Sequence, residues 1–89
     1  MSYSFSVKAS TKVEVKAAVA AKLAEVVLSQ PVHAGDQMQA QAAADAFIDL
    51  VPEDATKDYS VSMNGSAMLV DGAFTSAGVG VSVFLVAKT

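Results

Sequence analysis

Three stretches of period-two alternation frame this chain and bound what it can fold into. Residues 2–9 set Tyr3, Phe5, Val7 and Ala9 against Ser2, Ser4, Ser6 and Lys8. Residues 58–65 set Tyr59, Val61 and Met63 against Ser60, Ser62 and Asn64. Residues 78–87 set Val79, Val81, Val83, Leu85 and Ala87 against Gly78, Gly80, Ser82, Phe84 and Val86. In an extended chain successive side chains point to opposite faces, so each stretch is a strand with one apolar side. The first two carry nearly the same words, Tyr-Ser-Phe-Ser-Val and Tyr-Ser-Val-Ser-Met, which suits neighbours in one sheet.

Between the first two strands the period changes to that of a helix. Thr11 and Glu14 stand in capping-box spacing, with the hydroxyl placed to accept an amide proton of the first turn. The helix they open runs to about Ser29. Val15, Val19, Leu23, Val26 and Val27 fall on one side at 100° per residue. Val13, Ala17, Ala20, Ala21, Ala24 and Leu28 widen the apolar arc past half the circumference, leaving Glu14, Lys22, Glu25 and Ser29 as a narrow polar strip. Such a helix needs cover on two sides. Pro31 interrupts it, since the residue before a proline is turned away from helix. A second helix is expected from about His33 to Val51, stopped by Pro52. Its inner face is read as Ala40, Ala43, Phe47, Leu50 and Val51, with Ala44 and Ile48 beside them and Met38, Gln41, Asp45 and Asp49 outward.

Segment 64–76 carries two turn signals, Asn64-Gly65 and Asp71-Gly72. The stretch between them could be strand or loop. The elements therefore read β1 (2–9), α1 (12–29), α2 (33–51), β2 (58–65) and β3 (78–87). The expected fold class is α+β: a three-stranded antiparallel sheet with two helices packed on one face, order β1-α1-α2-β2-β3. A strand order 1-2-3 is expected, with 1-3-2 its rival. At 89 residues this is one domain spanning 1–89.

Chemistry is sparse. The chain has no Cys, so neither disulfides nor thiolate metal sites can form. His33 is the only histidine, expected as a solvated first-turn residue. Asp45 and Asp49 lie one helical turn apart without a third ligand. Gly78-Val79-Gly80 sits inside a strand pattern and opens no helix, so it is no phosphate loop. The expectation is no catalytic residue, no metal, no cofactor and no enzyme. A net charge of −3 and the absence of arginine argue against nucleic acid. The most apolar helical stretch, 17–28, is broken by Lys22 and Glu25 and falls short of the roughly 20 apolar residues of a bilayer span. The first five residues carry no signal-peptide pattern, and an intracellular protein is expected.

What remains is surface. Phe84 and Val86 emerge, on strict alternation, on the otherwise serine- and glycine-rich outer face of the sheet. Met68, Leu69, Val70 and Phe74 form an apolar segment between the two turn signals. Asp45, Asp49, Glu53 and Asp54 concentrate negative charge on the second helix and the loop behind it.

The words Tyr3-Ser4-Phe5-Ser6-Val7, Ser29-Gln30-Pro31-Val32-His33-Ala34, Gln39-Ala40-Gln41-Ala42-Ala43-Ala44-Asp45-Ala46-Phe47 and Val79-Gly80-Val81-Ser82 together resemble small uncharacterised bacteriophage and prophage proteins. That resemblance implies a virion-associated or accessory role, located in the host cytoplasm or the virion, and carries no site to transfer. Dodecins share a strand-helix-strand-strand order, but have one helix and flavin-binding residues not found here. The reading that follows is a non-enzymatic protein acting by protein–protein contact. Its partner is expected to be itself, as a homo-oligomer, or a phage or host protein. The alternative is a host-directed inhibitor or decoy using the acidic surface of the second helix.

Overall fold

The computed structural model describes residues 2–88, with side chains described except at 32, 36, 67–70 and 73–77. The elements run β1 (Ser2–Ala9), α1 (Lys12–Ser29), a 3-10 helix (Pro31–Asp36), α2 (Gln37–Asp49), β2 (Lys57–Val70) and β3 (Ala73–Ala87). The three strands form one antiparallel sheet in the order β1-β2-β3. This is the α+β architecture expected from the alternation, with the 1-2-3 order and not its rival.

β2 is the central strand, and its inward residues Tyr59, Val61 and Met63 are fully buried. The helices supply the opposite wall with Val15, Val19 and Leu23 from α1 and Ala40, Ala44 and Ile48 from α2. α1 lies over β1 and β2, and α2 lies over β3. The inward residues of the outer strands, Phe5 and Val7 on β1 and Val81, Val83 and Leu85 on β3, are only partly buried. Two helices cover the middle of a three-stranded sheet more completely than its margins.

Thr11 caps α1 in extended geometry (φ −126°, ψ 161°) and accepts from the Glu14 amide at 3.2 Å. A second, distant cap joins it: the Lys12 amide donates to Glu53 Oε1 at 2.8 Å. The carboxylate of the α2–β2 connection thus satisfies a first-turn N–H and complements the positive end of the helix.

Several sequence expectations shift in the structure. The segment from Pro31 folds first as a 3-10 turn, and α2 proper begins at Gln37 and ends at Asp49. The inner stripe of α2 is Ala40, Ala44 and Ile48, an i, i+4 row, while Phe47 is half-exposed and Leu50 is 76% exposed. Three small or branched residues at that spacing let the helix sit low over β3, and the larger Phe47 and Leu50 fall to its flank and outer side. His33 is not solvated: it is 5% exposed, edge-on to the Tyr3 ring at 4.8 Å. Its Nε2 lies 3.0 Å from Gln30 Oε1, and Gln30 Nε2 donates to the Ser2 carbonyl. With the amide oxygen turned to the ring, His33 is the donor through Nε2, and the three residues tie the helix joint to β1.

Asn64-Gly65 does not turn. Gly65 pairs with Tyr3 on one side and Val79 on the other, and a side chain there would run into the Tyr3 ring. The turn is Asp71-Gly72, with both residues at positive φ (51° and 81°), as a two-residue type I′ hairpin requires. β2 and β3 therefore continue past the end of β1, whose last pairing is Ser2 with Ser66. The register slips between Ser66 and Ala67, leaving residue 77 as a bulge beside Gly78 at φ 143°, a backbone setting that glycine alone adopts without strain. Beyond that bulge the hairpin is a two-stranded arm.

Candidate interaction surfaces

The open face of the sheet is laid out by the registers. Ser6, Ser62 and Ser82 stand side by side across the strands, as do Ser4, Asn64 and Gly80, and Lys8, Ser60 and Phe84. These residues alternate with the buried Tyr59, Val61 and Met63, so they point away from the helices. Phe84 emerges on this face as expected and is 50% exposed; Val86, beside Asp58, is half-buried. Half of this aromatic ring, set among serines and glycines, is left in solvent.

The helical layer leaves a second apolar surface. Val13 and Leu28 are 79% and 84% exposed, with Ala17, Ala20, Ala21 and Ala24 exposed between them. The wide arc of α1 thus divides into a face on the core and a face on solvent. Beside it runs a shallow groove between the helices, lined by Ala20, Ala34, Gln37, Met38, Gln41, Ala42 and Asp45.

Asp45, Asp49, Glu53 and Asp54 are each tied into the fold. Asp49 pairs with Lys16 at 2.8 Å. That hydrogen bond, with the attraction between the opposite charges, lowers the Asp49 pKa and raises that of Lys16. Asp45 accepts from Gln41 Nε2 at 2.8 Å, and Glu53 caps α1. Asp54 accepts from the Thr56 hydroxyl at 2.7 Å and the Thr56 amide at 2.8 Å, bonds that lower its pKa. Composition showed the charge but not these assignments; a carboxylate shortly before a strand, with Thr two residues on, was the one local signal available for Asp54.

The apolar segment Met68, Leu69, Val70 and Phe74 lies on the hairpin arm, Leu69 opposite Phe74 in the backbone register; these side chains lie outside the described residues. The structure does not bring this segment together with Phe84 and Val86, which lie on the far side of the bulge.

The small cleft that His33 helps to line is otherwise built from Tyr3, Leu23, Val26, Val27, Gln37, Gly65, Ser66, Gly78 and Val79. It gathers no carboxylate beside the imidazole among the described residues. No group of three or more His, Cys, Asp or Glu residues with metal-binding proximity occurs among the described residues. No helix of the described chain is long and apolar enough to cross a membrane. No family model, curated protein or solved structure matches the chain.

Proposed function

We propose that the chain is a non-enzymatic protein of phage type that acts by protein–protein contact, in the first instance with itself, as a virion-associated or accessory component of the virion or host cytoplasm. The observation that carries this reading is the set of large apolar side chains left in water by a finished core: Val13, Leu28, Met38 and Leu50 each more than 75% exposed, with Phe47 and Phe84 near half. Scattered apolar residues are ordinary on a protein surface. Here Val13 and Leu28 bound a continuous stripe of exposed alanines along the outer side of α1, and Phe84 stands on the open face of the sheet; apolar surface grouped in this way favours contact.

The acidic decoy is the weaker reading. Mimicry of a phosphate needs carboxylates free to meet a partner, and Asp45, Asp49, Glu53 and Asp54 each have an internal hydrogen-bond partner. Sedimentation equilibrium across a wide concentration range tests the preferred reading. A mass above that of one 9.1 kDa chain is expected. A monomer at every concentration, joined by capture of a host protein that charge reversal at those four residues abolishes, would transfer support to the decoy.

A further inference from the structure

We propose that two copies of this chain join along the free edge of β3, antiparallel about a two-fold axis at Ser82, so that two three-stranded sheets become one of six strands. This rests on the self-association proposed above and specifies its surface and register.

β3 is an edge strand. It pairs with β2 on one side and with no strand of the described chain on the other. Free edges present a row of backbone donors and acceptors, and soluble proteins usually guard them with charge, proline or brevity. From 73 to 87 this strand carries no charged residue and no proline, and it is 15 residues long. A strand without charge meets its own copy without like-charge repulsion.

Two independent features place the centre at Ser82. The first is the extent of regular strand. The bulge before Gly78 re-aims the chain at one end, and β3 stops at Ala87 at the other. The midpoint of the straight segment falls at 82–83. The second is the gradient of side-chain size along the outer face, Gly78, Gly80, Ser82, Phe84, Val86. Pairing antiparallel about Ser82 sets Phe84 opposite Gly80 of the second copy, Val86 opposite Gly78, and each serine opposite its equivalent. Every large residue then meets a glycine, a position with no side chain of its own.

The fold already uses this device. Within one chain Tyr3 stands opposite Gly65 and its ring occupies the space a side chain there would take. Across the proposed junction Phe84 would cover Gly80 in the same manner. The Asn64 amide leans over Gly80 at present, 2.7–3.2 Å from where a Cβ would stand, and Asn64 is exposed, so it can move aside or flank the ring. On the inner face the same register sets Val79, 38% exposed, against Leu85 of the second copy. Phe47 belongs to this side as well. Gln41 and Asp49 on α2 reach α1, and Phe47 lies on the flank turned away from them, above β3.

The experiment uses the absence of native cysteine. Ser82→Cys introduces the only thiol, at a position where directly opposed strands hold Cα atoms about 4.5–5.5 Å apart, within disulfide reach. Under mild oxidation it should form a covalent dimer with native circular dichroism, while Ser4→Cys on β1 stays a free thiol. Phe84→Lys should weaken dimerisation by about tenfold or more, and Leu28→Lys on the outer face of α1 should leave it unchanged. A wild-type dimer that survives Phe84→Lys, with Ser82→Cys no more readily cross-linked than Ser4→Cys, overturns the β3 edge and leaves self-association standing on another face. If Leu28→Lys then dissociates it, that face is α1. A wild-type chain that stays monomeric overturns both readings.

Discussion

Tyr59 joins sheet, helix layer and connection at one point. Its ring is fully buried between β2 and the helices, and its hydroxyl donates to the Val51 carbonyl at 2.6 Å, just past the end of α2. Burial raises the phenol pKa above its ordinary value near 10, with nearby Glu53 and Asp49 adding to the effect. The unfolded tyrosine therefore releases its proton first, and stability falls as pH climbs past about 10. Tyr59→Phe should cost about 0.5–1.5 kcal/mol at neutral pH through the lost hydrogen bond, and it should flatten part of the alkaline decline; urea midpoints against pH report both. On the acid side the sign reverses. Asp49 and Asp54 both titrate below the ordinary carboxylate range. Their contribution is complete above the unfolded pKa near 4 and is lost as pH drops through the lower folded values. Asp49→Asn and Asp54→Asn together should reduce the slope of stability below about pH 4, read by the same denaturation series.

At the scale of elements, strands were easier to read than helix phases, for a physical reason. A period of two leaves only two faces, and the buried Tyr59, Val61 and Met63 are the apolar set of the alternation. A helix rich in alanine has little angular contrast, so the arc of α2 could be rotated by a residue without changing its apolarity. Ala40, Ala44 and Ile48 face the core, and Leu50 does not. Ile48→Ala should cost about 2–5 kcal/mol, and Leu50→Ala less than about 0.5 kcal/mol, both measured by chemical denaturation. Capping shows the same limit. Thr11 was legible because its partner Glu14 is three residues away, whereas Glu53 reaches the Lys12 amide from 41 positions further on. Asn64-Gly65 had the residues of a turn, yet the aromatic opposite decided its conformation. His33 gave no sign of burial, because its cover comes from Tyr3 on another element. Of the surface candidates, Phe84 and Val86 followed from alternation alone, while the partners of the four carboxylates depend on which elements the fold places side by side.

The whole molecule is elongated, 49 × 21 × 18 Å, because the β2–β3 hairpin outruns β1 and the helices. Its core is finished around one central strand, but both margins of the sheet and the outer side of α1 remain open. We propose that these open surfaces are where the protein acts, by contact with a second copy of itself. Sedimentation equilibrium of the native chain tests that claim most directly. A concentration-dependent rise to about twice the 9.1 kDa chain mass is expected. A mass that stays at 9.1 kDa up to the highest attainable concentration would contradict it.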